Sequence, residues 1–150
     1  MEQLCTGSFT ALVFNARLVL AQLSQHVGER ARELYLLAAA EGLMPTGPVY
    51  WIYTGADGDP HTLFDLKIAL PVTGLPHTAA LSQLETIPPM TALAILHKGP
   101  WAILSQAYAQ LARETGSKGL LPSGENRELY LQIDFERPEN NLTLVMFGIQ

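Results

Sequence analysis

The sequence contains one short motif twice, and this repeat constrains the fold more than any other feature. Residues 42–47 (GLMPTG) return 77 residues later as residues 119–124 (GLLPSG). The same offset of 77 carries Tyr53 onto Tyr130 and Leu34 onto Leu111. An offset held over so long a span indicates that one supersecondary unit is used twice.

The first copy, over about residues 10–72, is predicted to form a strand, a long helix and a hairpin. Apolar residues recur at helical spacing from Leu23, Ser24 is the predicted N-cap, and Gly42 is placed where a left-handed glycine ends a helix. The predicted elements are a strand at residues 14–21, a helix from Leu23 to Ala38, and hairpin strands at residues 49–54 and 63–70.

The second copy, over about residues 87–150, follows a linker at residues 73–86 that is rich in glycine, proline and polar residues. Its predicted elements are a strand at residues 91–97, a helix opened by Pro100, and strands at residues 128–135 and 141–149. Each copy alone has a thin core. We therefore predict one α+β domain over residues 1–150, with a curved antiparallel sheet of six to eight strands, two long helices on one face and pseudo-twofold symmetry.

Charge and composition restrict the function. The net charge of −5 argues against nucleic-acid binding, which needs a basic face. The single cysteine, Cys5, cannot form an internal disulfide and fits a reducing cytoplasm. No signal peptide and no apolar run long enough to span a membrane are present, so we predict a cytoplasmic protein. The histidines lack metal-ligand spacing and no phosphate-binding loop occurs, so no metal or cofactor is predicted.

Aromatic residues supply the candidate binding site. Period-two alternation and the repeat place Trp51, Tyr53, Glu128 and Tyr130 on one face of two equivalent strands. Flat rings with polar tips suit a small-molecule pocket, and the other interpretation is that they are core or surface aromatics. The helical stripe of the second copy carries aromatics with the same two interpretations, pocket or core: Trp101 and Tyr108.

Four segments in order, HKGPW at residues 97–101, GLLP at 119–122, RELY at 127–130 and a closing strand, resemble the GyrI-like family. This family includes the effector-binding domains of multidrug-responsive transcription regulators of the MerR and AraC types. The match covers about residues 10–150. The resemblance implies a doubled strand-helix-hairpin fold with a ligand cleft between the two copies, lined by aromatic side chains.

The resemblance also implies a buried glutamate in the last strand, four residues before a terminal proline, that pairs with cationic aromatic drugs or acts in hydrolysis. Here Leu144 occupies that position, and the symmetric position holds Lys67. Without the carboxylate we expect that the chain does not use the family's cation site and that it prefers neutral or anionic ligands. Two residues keep open interpretations. Lys67 is either a solvated edge-strand lysine or a pocket cation, and Glu128 either replaces the acid or is a solvated charge beside Arg127.

Three functions remain open at this stage. The leading hypothesis is a stand-alone domain that senses or sequesters an apolar or aromatic compound. Only about ten residues precede the first predicted strand, so we expect that the chain does not read DNA itself. The alternatives are a hydrolase of cyclopropane-type electrophiles, against which Leu144 argues, and a gyrase-binding inhibitor. A homodimer is compatible with the exposed edges of the predicted sheet.

Overall fold

The computed structural model describes residues 1–25 and 27–150, and these ranges contain nine strands and two long helices. They divide into two compact units, Gly7–Pro89 (the first unit) and Met1–Thr6 with Met90–Gln150 (the second unit). In chain order the elements are β1 (Glu2–Thr6), β2 (Phe9–Leu18), α1 (Val27–Glu41), β3 (Met44–Pro45), β4 (Tyr50–Thr54), β5 (Phe64–Thr73), β6 (Leu84–Ile87), β7 (Met90–Lys98), α2 (Leu104–Ser117), β8 (Pro122–Gln132) and β9 (Leu142–Ile149). A short 3₁₀ turn precedes each long helix, at Leu20–Gln25 and at Trp101–Ile103.

Each unit is an antiparallel sheet with one long helix, which confirms the predicted α+β class and the repeated strand-helix-hairpin unit. In the first unit the strand order is β4-β5-β2-β6, and β3 pairs with β5. In the second unit the order is β1-β7-β9-β8. The two orders correspond strand by strand, since each unit has an edge strand, then the strand before the helix, then the two hairpin strands.

The repeated glycine motif ends both helices in the same way. Gly42 follows α1 with φ of 68°, and Gly119 follows α2 with φ of 66°. After Gly42, the Leu43 N–H donates to the Ala38 carbonyl at 2.9 Å, and the equivalent bond in the second unit is 3.0 Å long. A glycine takes up this left-handed conformation without strain, so the predicted C-cap at Gly42 is confirmed.

The core of the second unit shows which face of its sheet meets the helix. Leu104, Ala107 and Leu111 of α2 pack with Leu93 of β7 and Val145 of β9, and all five side chains are buried. Residues opposite each other in an antiparallel pair point to the same face. Glu128, the partner of Val145 in the β8–β9 register, therefore points toward α2.

The repeat has two offsets rather than one. Thr10-Ala11-Leu12 on β2 corresponds to Thr91-Ala92-Leu93 on β7, an offset of 81. Leu12 pairs with Leu70, and Leu93 pairs with Phe147. The two partners, Leu70 and Phe147, are 77 residues apart in the sequence. Counted between equivalent positions, the first unit thus holds four more residues from β2 to α1 than the second unit holds from β7 to α2.

Several predicted strand bounds are wrong. β2 begins at Phe9, and residues 20–25 form the 3₁₀ turn, because the apolar run read as a strand at residues 14–21 straddles the two. The extra residues of the first unit hide this boundary from a single-offset comparison. β8 begins at Pro122 and ends at Gln132, and the edge strands β1 and β6 were not predicted. The proposed Ser24 cap lies outside the described side chains.

Candidate functional site

A buried carboxylate lies between two tyrosines in the second unit. Glu128 on β8 is 6% exposed. The Tyr108 hydroxyl, from α2, donates a hydrogen bond to Glu128 Oε2 at 2.6 Å. The Tyr130 hydroxyl, from the same strand as the acid, donates to Glu128 Oε1 at 2.6 Å. The period of two along β8 puts Tyr130 on the helix side with Glu128. Tyr108 lies on the face of α2 that packs on the sheet, so its side chain reaches Glu128 from the helix.

Burial raises the pKa of Glu128 above its ordinary value, and the hydrogen bonds from Tyr108 and Tyr130 offset part of that rise. The neighbouring Arg127 is also buried, but its side chain points to the opposite face of the strand. Its Nη2 forms an ion pair with Glu125 Oε2 at 2.8 Å. Glu128 is therefore not the solvated charge beside Arg127 that one interpretation of the sequence offered. In the described ranges no cationic side chain forms an ion pair with it.

An aromatic series continues outward from Tyr130. The Trp101 ring meets the Tyr130 ring edge-on, with centroids 5.4 Å apart. The Phe135 ring also meets the Trp101 ring edge-on, with centroids 6.2 Å apart, and Phe135 is 83% exposed. Trp101, Tyr108 and Tyr130 are each half-buried, so their rings combine apolar contact inside with surface that a ligand can reach.

The loop that carries Phe135 is fixed by its neighbour Asp134. The Asp134 carboxylate accepts the backbone N–H groups of Glu136 and Arg137, at 3.1 and 2.9 Å, and the Asn140 side-chain amide at 3.2 Å. These bonds, the one from Arg137 first, lower the pKa of Asp134. Phe135 was not a predicted site residue. The only sequence signal for it is an aromatic residue in an otherwise polar turn.

The structure brings four of the eight predicted site residues together in the second unit: Trp101, Tyr108, Glu128 and Tyr130. Leu144, the family's acid position, is half-buried and pairs with Leu96 and Leu129 in the row next to Val145. Because adjacent strand residues point to opposite faces, Leu144 points away from α2 and from Glu128. Leu144 supplies no acid to the helix side, and the burial of Glu128 there fits the interpretation in which Glu128 replaces the missing acid.

Lys67 lies in the first unit and is held by an ion pair. Its Nζ contacts Glu85 Oε1 at 2.8 Å and donates to Asn15 Oδ1 at 2.8 Å. It is on β5, between β4 and β2, so the edge-strand interpretation of Lys67 is wrong. A shallow depression of about 430 Å³ adjoins it, with polar and charged residues dominating its lining: Asn15, Ala16, Arg17, Thr54, Asp65, Leu66 and Lys67.

Trp51 and Tyr53 occupy, in the first unit, the positions that Glu128 and Tyr130 hold in the second. Trp51 is 4% exposed, and Tyr53 packs against Phe64 with ring centroids 5.7 Å apart. Trp51 pairs with Ile68 and Glu128 pairs with Val145, so the 77-residue correspondence holds in the register of the strands. Pocket lining by Trp51 and Tyr53 stays a prediction.

The raised pKa of Glu128 predicts an unusual pH dependence of stability. Between its unfolded value of about 4.5 and its higher folded value, the folded chain binds one proton more than the unfolded chain. Its contribution to the free energy of unfolding is thus full below about pH 4.5 and is lost as the pH rises through the folded pKa. We expect the difference between wild type and Glu128→Gln in urea unfolding to shift in favour of the variant from about pH 5 to about pH 8.

Groups with lowered pKa values, such as Asp134 and Glu41, act in the opposite sense, because their stabilisation is lost as the pH falls. They are present in both proteins, so their effect cancels in the difference. A difference that stays constant over this pH range would contradict the raised pKa of Glu128.

Comparison with known proteins identifies the fold. No protein-family model matches the chain, and no curated protein sequence does. The chain is similar to EcmrR in a cryo-EM complex with DNA, with TM-score 0.77 and 18% identity over 99% of this chain and 56% of that chain. It is also similar to the crystal structure of the EcmrR C-terminal domain, with TM-score 0.73, 19% identity and coverage of 99% and 96%.

Two further solved structures have the same fold. SAV2435 bound to tetraphenylphosphonium matches with TM-score 0.65 and 12% identity, over 99% of this chain and 93% of that chain. A hydrolase encoded by lin2189 from Listeria innocua matches with TM-score 0.65 and 12% identity, over 99% and 91%. The chain thus has the fold of the GyrI-like effector-binding domain that its sequence resembles, while spanning little more than half of the EcmrR chain in the DNA complex.

Among the described residues, no cluster of three or more histidine, cysteine or acidic side chains is arranged to hold a metal ion. Neither long helix, as far as the structure describes the chain, combines the length and apolar character needed to cross a bilayer.

Proposed function

We propose that this chain binds small organic cations with aromatic or apolar substituents, at the site around Glu128. The observation that carries the proposal is the 6%-exposed carboxylate of Glu128, whose hydrogen-bond partners are two neutral phenols. This replaces the expectation of neutral or anionic ligands, which rested on an absent acid.

A buried carboxylate favours a cation because desolvation leaves its charge only partly compensated. Tyr108 and Tyr130 each donate one hydrogen bond, and an ionised carboxylate can accept about four. A bound organic cation would supply the missing charge, and would itself be poorly hydrated, so that its own transfer from water costs little. The raised pKa of Glu128 reflects the same incomplete compensation.

The aromatic rings favour a lipophilic cation over a small hydrated one. The hydroxyls of Tyr108 and Tyr130 reach the acid, and the Trp101 ring contacts the Tyr130 ring. A cation within about 6 Å of such a ring gains roughly 0.5–2 kcal/mol. The likeness to SAV2435 supports this choice, since that protein was solved with tetraphenylphosphonium, a large apolar cation.

We further propose that binding serves to sense or sequester such compounds in the cytoplasm. The net charge of −5 would also attract cationic ligands and disfavours direct contact with nucleic acid. The likeness to the C-terminal domain of EcmrR, a protein that was also solved in a complex with DNA, is the support for a sensing role. We also propose that the chain forms a homodimer, which a measurement of its mass in solution tests.

Isothermal titration with tetraphenylphosphonium tests the proposal, and tetraphenylborate is the matched control because it has the same shape and the opposite charge. We expect saturable binding of one phosphonium per chain, with Kd of about 1–100 μM, and at least about tenfold weaker binding of the borate. Equal affinity for the two ions, or no binding of the phosphonium at millimolar concentration, would refute a cation site at Glu128.

A second candidate function is hydrolysis of a strained electrophile such as a cyclopropane-bearing compound. The observation that favours it is the raised pKa of Glu128 next to two tyrosine hydroxyls, an arrangement suited to general acid–base chemistry. The likeness to the lin2189 hydrolase supports it at the level of fold. Mass spectrometry of such a substrate should then show a product heavier by one water, and Glu128→Gln should abolish its formation.

A further inference from the structure

Two buried polar atoms near Tyr130 have no hydrogen-bond partner in the ranges the structure describes. They are Trp101 Nε1 and Thr143 Oγ1. The Thr143 residue is entirely buried. A buried polar group left unsatisfied costs roughly 1–3 kcal/mol, so each such group in a folded protein requires an explanation.

Both groups belong to the surroundings of the Glu128 site. The Trp101 ring contacts the Tyr130 ring at 5.4 Å between centroids, and Thr143 is the direct partner of Tyr130 in the β8–β9 register. Thr143 therefore points to the same side of the sheet as Tyr130 and Glu128, toward α2. Tyr130 thus contacts both groups of residues: its hydroxyl donates to Glu128, its ring contacts Trp101, and Thr143 is its strand partner.

The Pro100 carbonyl, a hydrogen-bond acceptor next to Trp101 in the sequence, already has partners. Trp101 opens the 3₁₀ turn directly after Pro100. His97, which shares a row with Thr143, places its Nε2 3.2 Å from the Pro100 carbonyl oxygen. The ring of His97 thereby anchors the start of the turn that carries Trp101.

We propose that Trp101 Nε1 and Thr143 Oγ1 form a second, polar anchor of this site, which binds an uncharged hydrogen-bond acceptor on the ligand. The proposal rests on the proposed function and narrows its ligand class. The preferred ligand is an aromatic cation that also carries a carbonyl, ether or ring-nitrogen acceptor. Its positive group faces Glu128 and its acceptor lies on the Trp101 side of Tyr130.

The indole N–H decides the polarity of this anchor. An indole nitrogen can only donate a hydrogen bond, whereas a threonine hydroxyl can donate or accept. Both atoms are covered in this structure, so an acceptor reaches them when the half-buried ring of Trp101 or Tyr130 turns. The Trp101 ring packs against the buried core of the second unit and also contacts Phe135, which is 83% exposed.

The test compares two cations that differ in the acceptor. Tetraphenylphosphonium has none, and rhodamine 6G has an ester carbonyl and a ring ether oxygen. Trp101→Phe keeps an aromatic ring and removes the N–H, and Thr143→Val keeps the shape and removes the hydroxyl. We expect each substitution to weaken rhodamine 6G binding about 5- to 30-fold, and to change tetraphenylphosphonium binding by less than about twofold.

Folding of the variants is measured in parallel by urea unfolding. Since Thr143→Val removes an unsatisfied group, its free energy of unfolding should equal or exceed that of the wild type. Equal weakening of both ligands, or no weakening of either, would refute the polar anchor while leaving the cation site intact. Failure of wild-type protein to bind tetraphenylphosphonium would instead refute the proposed function, and the anchor with it.

Discussion

Replacement of Glu128 by glutamine should weaken tetraphenylphosphonium binding by at least about 30-fold, because removing one partner of a buried charge pair typically costs 2–5 kcal/mol. The amide oxygen of glutamine can still accept a hydrogen bond from Tyr108 or Tyr130, so the shape of the site is retained. The loss therefore reports the negative charge itself. Isothermal titration at neutral pH measures it.

Glu114→Gln is the matched control. It removes the same charge from the same unit, at a position on α2 whose side chain is 42% exposed and whose carboxylate lies 3.5 Å from Lys118 Nζ. Its effect on phosphonium affinity should stay below about twofold, since exposed charges are screened by solvent and salt. Equal losses in the two variants would indicate a general field effect, and wild-type affinity in Glu128→Gln would place the cation site elsewhere.

The sequence predicts the order of the long elements that follow the helix start in each unit, although the bounds of β8 differ from those predicted. Helix periodicity and the glycine motif locate α1 and α2 because both signals are local, and a left-handed glycine has the same effect wherever a helix ends. The offset of 77 then identifies β4 and β5 as the equivalents of β8 and β9. Nothing beyond a comparison of the sequence with itself is needed for these elements.

The edge strands could not be predicted in this way. β1 and β6 are short, and exposed residues predominate in β1. Their strand conformation depends on hydrogen bonds to β7 and β2, which are far away in the sequence. Residues 84–86 therefore read as part of the linker and Ile87 as the start of the second copy, although Ile87 is buried in the core of the first unit.

The candidate site was predicted in composition but not in geometry. The repeat correctly grouped Glu128 with Tyr130, yet alternation alone leaves open which face of a strand meets the helix, because both faces of β8 carry apolar residues. That choice is made by tertiary packing of α2 on Val145. Leu144, the position where the resemblance implies an acid, is next to Val145 in the strand. It therefore points to the face of the sheet opposite α2.

The two units have the same fold but different chemistry at equivalent positions. The position of Glu128 is occupied in the first unit by Trp51, and that of Tyr108 by Ala31. A tryptophan that is 4% exposed fills with apolar volume the place where the second unit has a carboxylate. We therefore expect one cation site per chain despite the duplication, which is the stoichiometry that titration should give.

Leu111→Ala is expected to destabilise the protein by about 2–5 kcal/mol, as is typical when a fully buried leucine is truncated and leaves a cavity. Leu111 is 0% exposed and belongs to one buried cluster with Leu104 and Ala107 of its own helix and with the strand residues Leu93 and Val145. The same packing holds α2 over the sheet, and Tyr108 is one turn earlier on that helix. Urea unfolding measures the change.

Leu36→Ala is the control, since this leucine on α1 is 59% exposed and its truncation should cost less than about 0.5 kcal/mol. A loss below about 1 kcal/mol for Leu111→Ala would mean that the helix stripe does not carry the core of the second unit. Partial loosening of α2 should also lengthen the bond from Tyr108 to Glu128. The truncation should therefore weaken phosphonium binding even in conditions where the variant is fully folded, whereas Leu36→Ala should bind as the wild type does.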